Sequence, residues 1–272
     1  MSGVTDVLEQ IEQYYDAVPR TAARVEEIGP FTLFVSTAGW PYYARPRLDG
    51  PDVFSAADVT KVRDRQRELG VPEAFEWVHQ TTPGLLRPAR EAGLVVAELP
   101  LQVLAGDGIR APVPPDVTVR LLGAADPALG AAQAVAAVGF RVGGTAIGSD
   151  GTNERDAAVG RQSDPEHHLL RDRIKRGITV VAVAEDDSGP IGIGSHQPVA
   201  GVTEVVGVAT LPVARRRGIG AAITAALVAD ARERGVETVF LSAGSDDVAR
   251  IYQRVGFERV ATACIAEPAA TA

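Results

Sequence analysis

The chain reads as an α/β protein built on a mixed sheet, with a smaller α+β half ahead of a larger C-terminal domain. Three observations predict this. Residues 203–211 are β-branched or small with no charge after Glu204, Pro212 stops ladder pairing, and an Ala/Leu/Ile/Val-rich segment follows at helical spacing, which makes a strand, a turn and a helix. Residues 105–116 are dense in Gly and Pro and read as a linker, which divides the chain into 1–105, a linker over 106–116, and 117–272. The 272 residues, 46% of them hydrophobic, are enough for two cores rather than one.

Taken in order, Val4, Leu8, Ile11, Tyr15 and Val18 recur at spacings of three and four and predict an amphipathic helix that breaks near Pro19, with residues 22–28 continuing it. Residues 31–36 are strand-like, and 39–47 form a turn-rich aromatic segment whose arginines and rings serve best as anchors into a core. Ser55 and Gly70 are the N- and C-caps of a helix between them. A strand at 74–78, a helix at 82–92 and a strand at 94–104 complete the first half. In the second half, 117–122 is a strand, 126–138 a helix, 139–165 a Gly-rich polar loop with room for one short helix, and 165–176 a helix. A hairpin follows, from 178–185 through Ser188-Gly189 to 191–197, and leads into the strand at 203–211.

Between that strand and its helix lies Arg215-Arg216-Arg217-Gly218-Ile219-Gly220-Ala221. Glycines there let a ligand approach main-chain N–H groups, the helix N-terminus adds its positive dipole end, and the arginines add charge. A P-loop would need Lys and Ser/Thr after its last Gly, and a dinucleotide loop three glycines; neither is present. In its strand–Pro–loop–helix setting, Arg215-x-x-Gly218-x-Gly220 resembles the acyl-CoA diphosphate loop of the GNAT superfamily of N-acetyltransferases. A second stretch, residues 245–258, is similar to that family's closing motif: a short helix carrying Ala249 and Tyr252 and ending at Gly256-Phe257, with Asp246 where the family usually has Asn.

The resemblance covers about 118–265 and implies a GNAT-type acyl-CoA N-acyltransferase fold that moves an acetyl group from acetyl-CoA to a primary amine, with a non-catalytic acyl-CoA-binding sensor or assembly partner as the alternative. It implies a bulge that aims a backbone N–H near Val208 at the thioester, pantetheine pairing along Val208, Ala209 and Thr210, and the diphosphate over Arg215, Arg216, Arg217, Gly218, Ile219, Gly220 and Ala221. Glu204 stands at the register of the general base in the family's histone-modifying members, and Tyr252 where a tyrosine faces the cofactor sulfur as proton donor. His196 is the alternative base. The order strand, helix, Gly, strand at 74–104 repeats that at 238–265, so the first half is either a degenerate copy lacking the loop or an accessory domain.

Net charge is −8 and the isoelectric point about 5.1, which opposes nonspecific nucleic-acid binding and favours a cationic acceptor. One cysteine, Cys264, leaves no internal disulfide and no Cys-based zinc site, and the adjacent His167 and His168 face different ways on a helix, so no metal is expected. No apolar run reaches membrane-spanning length and the N-terminus lacks a basic-then-apolar pattern; a cytoplasmic protein without a membrane partner is expected, with a homodimer left open.

Overall fold

A computed structural model describes residues 2–37, 42–106, 108, 111–161 and 164–269. The chain forms two compact units, one of Met1–Leu101 with Val260–Ala272 and one of Gln102–Arg259. The linker expected over 106–116 thus falls inside the second unit, and residues 260–272 join the first.

In the first unit, α1 (Ser2–Arg20) buries Leu8, Ile11, Tyr15 and Val18 of the residues its spacing singles out, whereas Val4, in the first turn, is exposed. Residues 22–28 do not continue this helix. They give β1 (Ala23–Ile28), which pairs antiparallel with β2 (Phe31–Ser36) through a Gly29-Pro30 turn, with Gly29 at φ +56. Turn hydrogen bonds from Thr21 and Ala22 N–H back to Val18 and Pro19 carbonyls close the helix before the strand starts. A short β3 (Ala44–Pro46) lies within the aromatic segment, of which 39–41 fall outside the described residues. Arg45 on it is 1% exposed, pairs with Glu12 and lies 5.9 Å over the Tyr15 ring, so this arginine is an anchor in the core.

The unit continues with α2 (Ala56–Leu69), β4 (Phe75–Val78), a 3-10 turn at Pro83–Leu85, α3 (Leu86–Glu91) and β5 (Leu94–Leu104). The last strand of the chain, β11 (Phe257–Pro268), pairs antiparallel with β4 and sets Cys264 opposite Trp77. The strand order is β1-β2-β3-β4-β11-β5, and Phe31, Leu33, Phe75, Trp77, Leu85 and Cys264 lie in its core.

The second unit contains β6 (Thr118–Leu122), α4 (Leu129–Arg141), α5 (Thr152–Val159), α6 (Asp164–Lys175), β7 (Val180–Asp186), β8 (Gly189–Val199), β9 (Val202–Thr210), a 3-10 turn at Pro212–Ala214, α7 (Ile219–Glu233), β10 (Thr238–Ser242) and α8 (Asp246–Gln253). Its strands run in the order β10-β9-β8-β7-β6, antiparallel throughout except the parallel β9/β10 pair. The β8–β9 turn is Ala200-Gly201, both at positive φ (49° and 80°), as a two-residue hairpin of this hand requires. Gly192 and Gly194 on β8 let α7 sit close to the sheet: a Cβ on either would come within 2.8 Å of the Ile223 side chain.

Candidate active site

The ladder between β8 and β9 slips at one place. Ile193 faces Ala209 while Ser195 faces Val206, so β9 carries one residue more than its partner between these pairs. Gly207 lies in that interval at φ +65, a conformation that glycine takes without the Cβ penalty. The bulge expected near Val208 therefore has a local cause in the sequence, a glycine inside a β-branched run. Its effect is to interrupt regular pairing where β9 approaches the turn into α7.

Past Thr210, the 3-10 turn leads into Arg215, Arg216 and Arg217. Arg216 is a non-glycine residue at φ +65, and Gly218, at φ +85, is the N-cap of α7 with no side-chain capping bond. The first turn of α7, Ile219-Gly220-Ala221, holds no acidic residue. Main-chain N–H groups at such a start have no carbonyl within the helix to bond. A Cβ on Gly220 would sit 3.8 Å from the Val208 side chain, so the helix start and the bulge are neighbours. Gly218 is exposed and a Cβ there would meet nothing within 4 Å, which leaves the approach to these N–H groups open. The residues fit an acyl-CoA diphosphate in chemistry as well as in shape.

The three arginines are used differently. The Arg215 guanidinium donates to the carbonyls of Gly139 (2.7 Å), Val142 (2.6 Å) and Ala146 (3.1 Å). Arg217 pairs with Asp116 at 2.5 Å. Arg216 is exposed and forms no side-chain hydrogen bond or ion pair among the described residues. A partner for Arg217 outside the loop had no sequence signal, because Asp116 is 101 positions away.

Glu204 on β9 is half-buried, opposite Gln197 on β8 and Phe240 on β10, with Ser242 Oγ 3.5 Å from its Oε1. Thr203, its neighbour, is fully buried and bonds His196 Nδ1 at 3.0 Å; the alternation of a strand sends Glu204 to the other face. His196 Nε2 lies 2.8 Å from Asp230 Oδ2 on α7, and Arg234 bonds the same carboxylate. These partners select the tautomer with the proton on Nε2, donated to Asp230, while Nδ1 accepts from the Thr203 hydroxyl. Burial lowers the His196 pKa more than Asp230 raises it, so the ring is neutral. For Asp230, burial pushes the carboxyl up, but bonds from Arg234 and His196 outweigh it and hold it below the usual range. With 0% exposure and both nitrogens engaged, His196 is not an accessible base; it joins β8, β9 and α7.

Tyr252 on α8 is 8% exposed and packs edge-on against Phe257, with ring centroids 6.1 Å apart. Burial pushes its phenol up to about 12. A thiol titrates near ~8.5, so full transfer of this proton to a thiolate runs uphill. A hydrogen bond to sulfur bearing partial charge is the role its chemistry allows. The helix stops short of Gly256: α8 ends at Gln253 with Arg254 as C-cap, and Gly256, at φ +94, turns the chain into β11. Among the described residues there is no cluster of metal-ligating side chains, and no helix is long and apolar enough to cross a membrane.

The chain is similar to known proteins in family and fold. A family model described as an acetyltransferase (GNAT) domain matches residues 177–259, which span β7 to the start of β11. A solved GCN5-related N-acetyltransferase from Kribbella flavida is 25% identical over 97% of this chain and 96% of its own, with a TM-score of 0.69. A tandem GNAT protein from the clavulanic acid biosynthesis pathway is 17% identical, covering 90% of this chain and 80% of its own at a TM-score of 0.55. A GNAT-family protein from Novosphingobium aromaticivorans is 16% identical, covering 92% and 93% at a TM-score of 0.53. A search of curated proteins returns no significant match.

Proposed function

We propose, for a chain whose C-terminal half belongs to the GNAT superfamily, that it transfers an acetyl group from acetyl-CoA to a primary amine, by direct attack while both substrates are bound. The observation that carries this reading is the Gly207 bulge set beside the uncapped N-terminus of α7. One supplies main-chain N–H near Val208 for charge that develops on the carbonyl oxygen, and the other supplies N–H groups for a diphosphate.

In this reading Val208, Ala209 and Thr210 hold the pantetheine arm along β9, and the Gly218–Ala221 turn holds the diphosphate with Arg216 adding charge. Acetyl-CoA supplies the activated acyl group; the chain supplies orientation and proton handling. Glu204 takes a proton from the acceptor's ammonium, directly or through water, so that the free amine attacks, and the Tyr252 hydroxyl steadies the departing sulfur by hydrogen bonding. The first unit contains no counterpart of the loop and is proposed as a degenerate copy or an accessory domain. An acceptor with a cationic amine suits the net charge of −8.

Calorimetry with acetyl-CoA followed by an acetyl-CoA-dependent thiol-release screen across amine classes tests the proposal. Binding with turnover on at least one class is the expected result. Binding with no thiol release on any class would favour a second reading, an acyl-CoA sensor, which the weak acidity of Tyr252 makes worth separating.

A further inference from the structure

The arginine that opens the glycine loop faces away from a diphosphate role. The last carbonyls of a helix have no intrahelical donor, and the dipole there favours a cation. Arg215 meets both needs for α4: its Nη2 donates to the Gly139 and Val142 carbonyls and its Nη1 to the Ala146 carbonyl, three oxygens on the stretch 139–146 around and beyond the helix C-terminus. Only a planar fork spans such a set; a single ammonium does not.

The same stretch is tied to the cofactor strand at other points. Gly148 N–H donates to the Pro212 carbonyl at 3.2 Å, and Val213 N–H donates to the Asp150 carbonyl at 3.1 Å. The Asp150 carboxylate pairs with Arg141 at 2.7 Å. Gly139 lies so near β9 that a Cβ would come within 3.1 Å of the Thr210 carbonyl oxygen. Residues 139–151 therefore bond Pro212 and Val213 through main chain, approach Thr210 closely at Gly139, and among the described residues are hydrogen-bonded to the diphosphate loop by one side chain, that of Arg215.

We propose that Arg215 is a positioning residue, a clasp that couples the diphosphate loop to residues 139–151, so that acetyl-CoA binding at the loop also orders that segment. This rests on the acetyl-CoA reading of the loop and assigns its first arginine to α4 rather than to phosphate. Arg216, at φ +65 and without a partner among the described residues, is the cation left for the ligand.

Hydrogen–deuterium exchange and calorimetry on the full chain, with and without acetyl-CoA, test this in wild type, Arg215→Ala, Arg215→Lys and Arg216→Ala. In wild type, acetyl-CoA should slow exchange across 139–151. Both Arg215 variants should exchange there at least about tenfold faster and lose that protection, while β7 stays protected as evidence of folding. Their acetyl-CoA affinities should fall alike, with the wild-type salt dependence. Arg216→Ala should instead lower the affinity and flatten its salt dependence, leaving 139–151 unchanged.

Arg215→Lys behaving as wild type while Arg215→Ala loses salt-dependent affinity would overturn the clasp and make Arg215 a phosphate cation. So would acetyl-CoA binding that leaves 139–151 unaltered in wild type. If wild type binds no acetyl-CoA, the proposed function fails, while the exchange rates of the unliganded variants still decide whether Arg215 holds the segment.

Discussion

Two helices of similar length begin in opposite ways. In the first unit α2 starts at Ser55, whose hydroxyl accepts the Asp58 N–H at 3.2 Å, and Asp58 sits in the first turn against the dipole. The bond from Ser55 holds the Asp58 carboxyl below its ordinary range, with Lys61 assisting. In the second unit α7 starts at Gly218 with no capping side chain, no acid in its first turn and three arginines before it. The helix of the first unit caps its Asp58 N–H with Ser55 and sets a carboxylate against its own dipole, and so has less to offer an anion. The helix of the second leaves its first N–H groups and its dipole for a ligand. A missing cap is thus a cost in helix stability that only a bound anion recovers.

The largest effect that would sharpen this contrast is catalytic and confined to the second unit. Glu204→Gln is expected to slow turnover about 10²–10⁴-fold, roughly 3–5 kcal/mol of barrier, with nearly unchanged acetyl-CoA affinity. The deficit should shrink as rising pH supplies free amine, and a steady-state pH series on an accepted amine shows it. Tyr252→Phe should slow turnover by a factor that pH does not rescue; losses under about threefold in both variants would return them to packing roles.

Next comes the helix start itself. Gly220→Asp puts a carboxylate at the open end of α7, and because a Cβ there meets Val208 only at ordinary contact, the fold should tolerate it. Acetyl-CoA affinity is expected to drop at least about a hundredfold, about 2.7 kcal/mol, in calorimetry. The matching change in α2, Ser55→Ala, should cost about 1 kcal/mol of stability in a urea titration and leave acetyl-CoA affinity alone. Equal effects of the two variants on ligand binding would break the comparison.

The smallest expected effect concerns pH. His196 is neutral when folded, its pKa lowered by burial, whereas in the unfolded chain it titrates near ~6.5. As pH falls through that value the unfolded state takes up a proton that the folded state resists, so stability is lost towards acid. Asp230, held low when folded, adds its own loss only as pH falls through the lower carboxylate range. The urea midpoint of wild type should decline between pH 7.5 and 5.5, and His196→Gln, less stable at pH 7.5, should show a flatter dependence.

Much of this was legible from local signals. The α2 caps, the span of β5, the β9–Pro212–α7 run and a glycine inside β9 all follow from residue types that leave the backbone few choices. Residues 22–28 misread as helix because Val25 and Ile28 are three apart, a spacing that fits a helix face as well as the two sides of a strand. The antiparallel partner Phe31–Ser36 resolves it, by supplying a ladder.

By itself, the sequence determined most element types, 22–28 excepted, and with them the open helix start and the glycine loop, since each depends on backbone preferences acting over a few residues. Only the tertiary structure decided what the charged side chains do. Three adjacent arginines are indistinguishable in sequence, yet one caps α4, one pairs with Asp116 and one stays exposed. His196, which as a bare residue reads as a base, is withdrawn between Thr203 and Asp230. Long side chains reach partners set by packing between elements distant in sequence, and a histidine's role follows from which groups packing places at its two nitrogens.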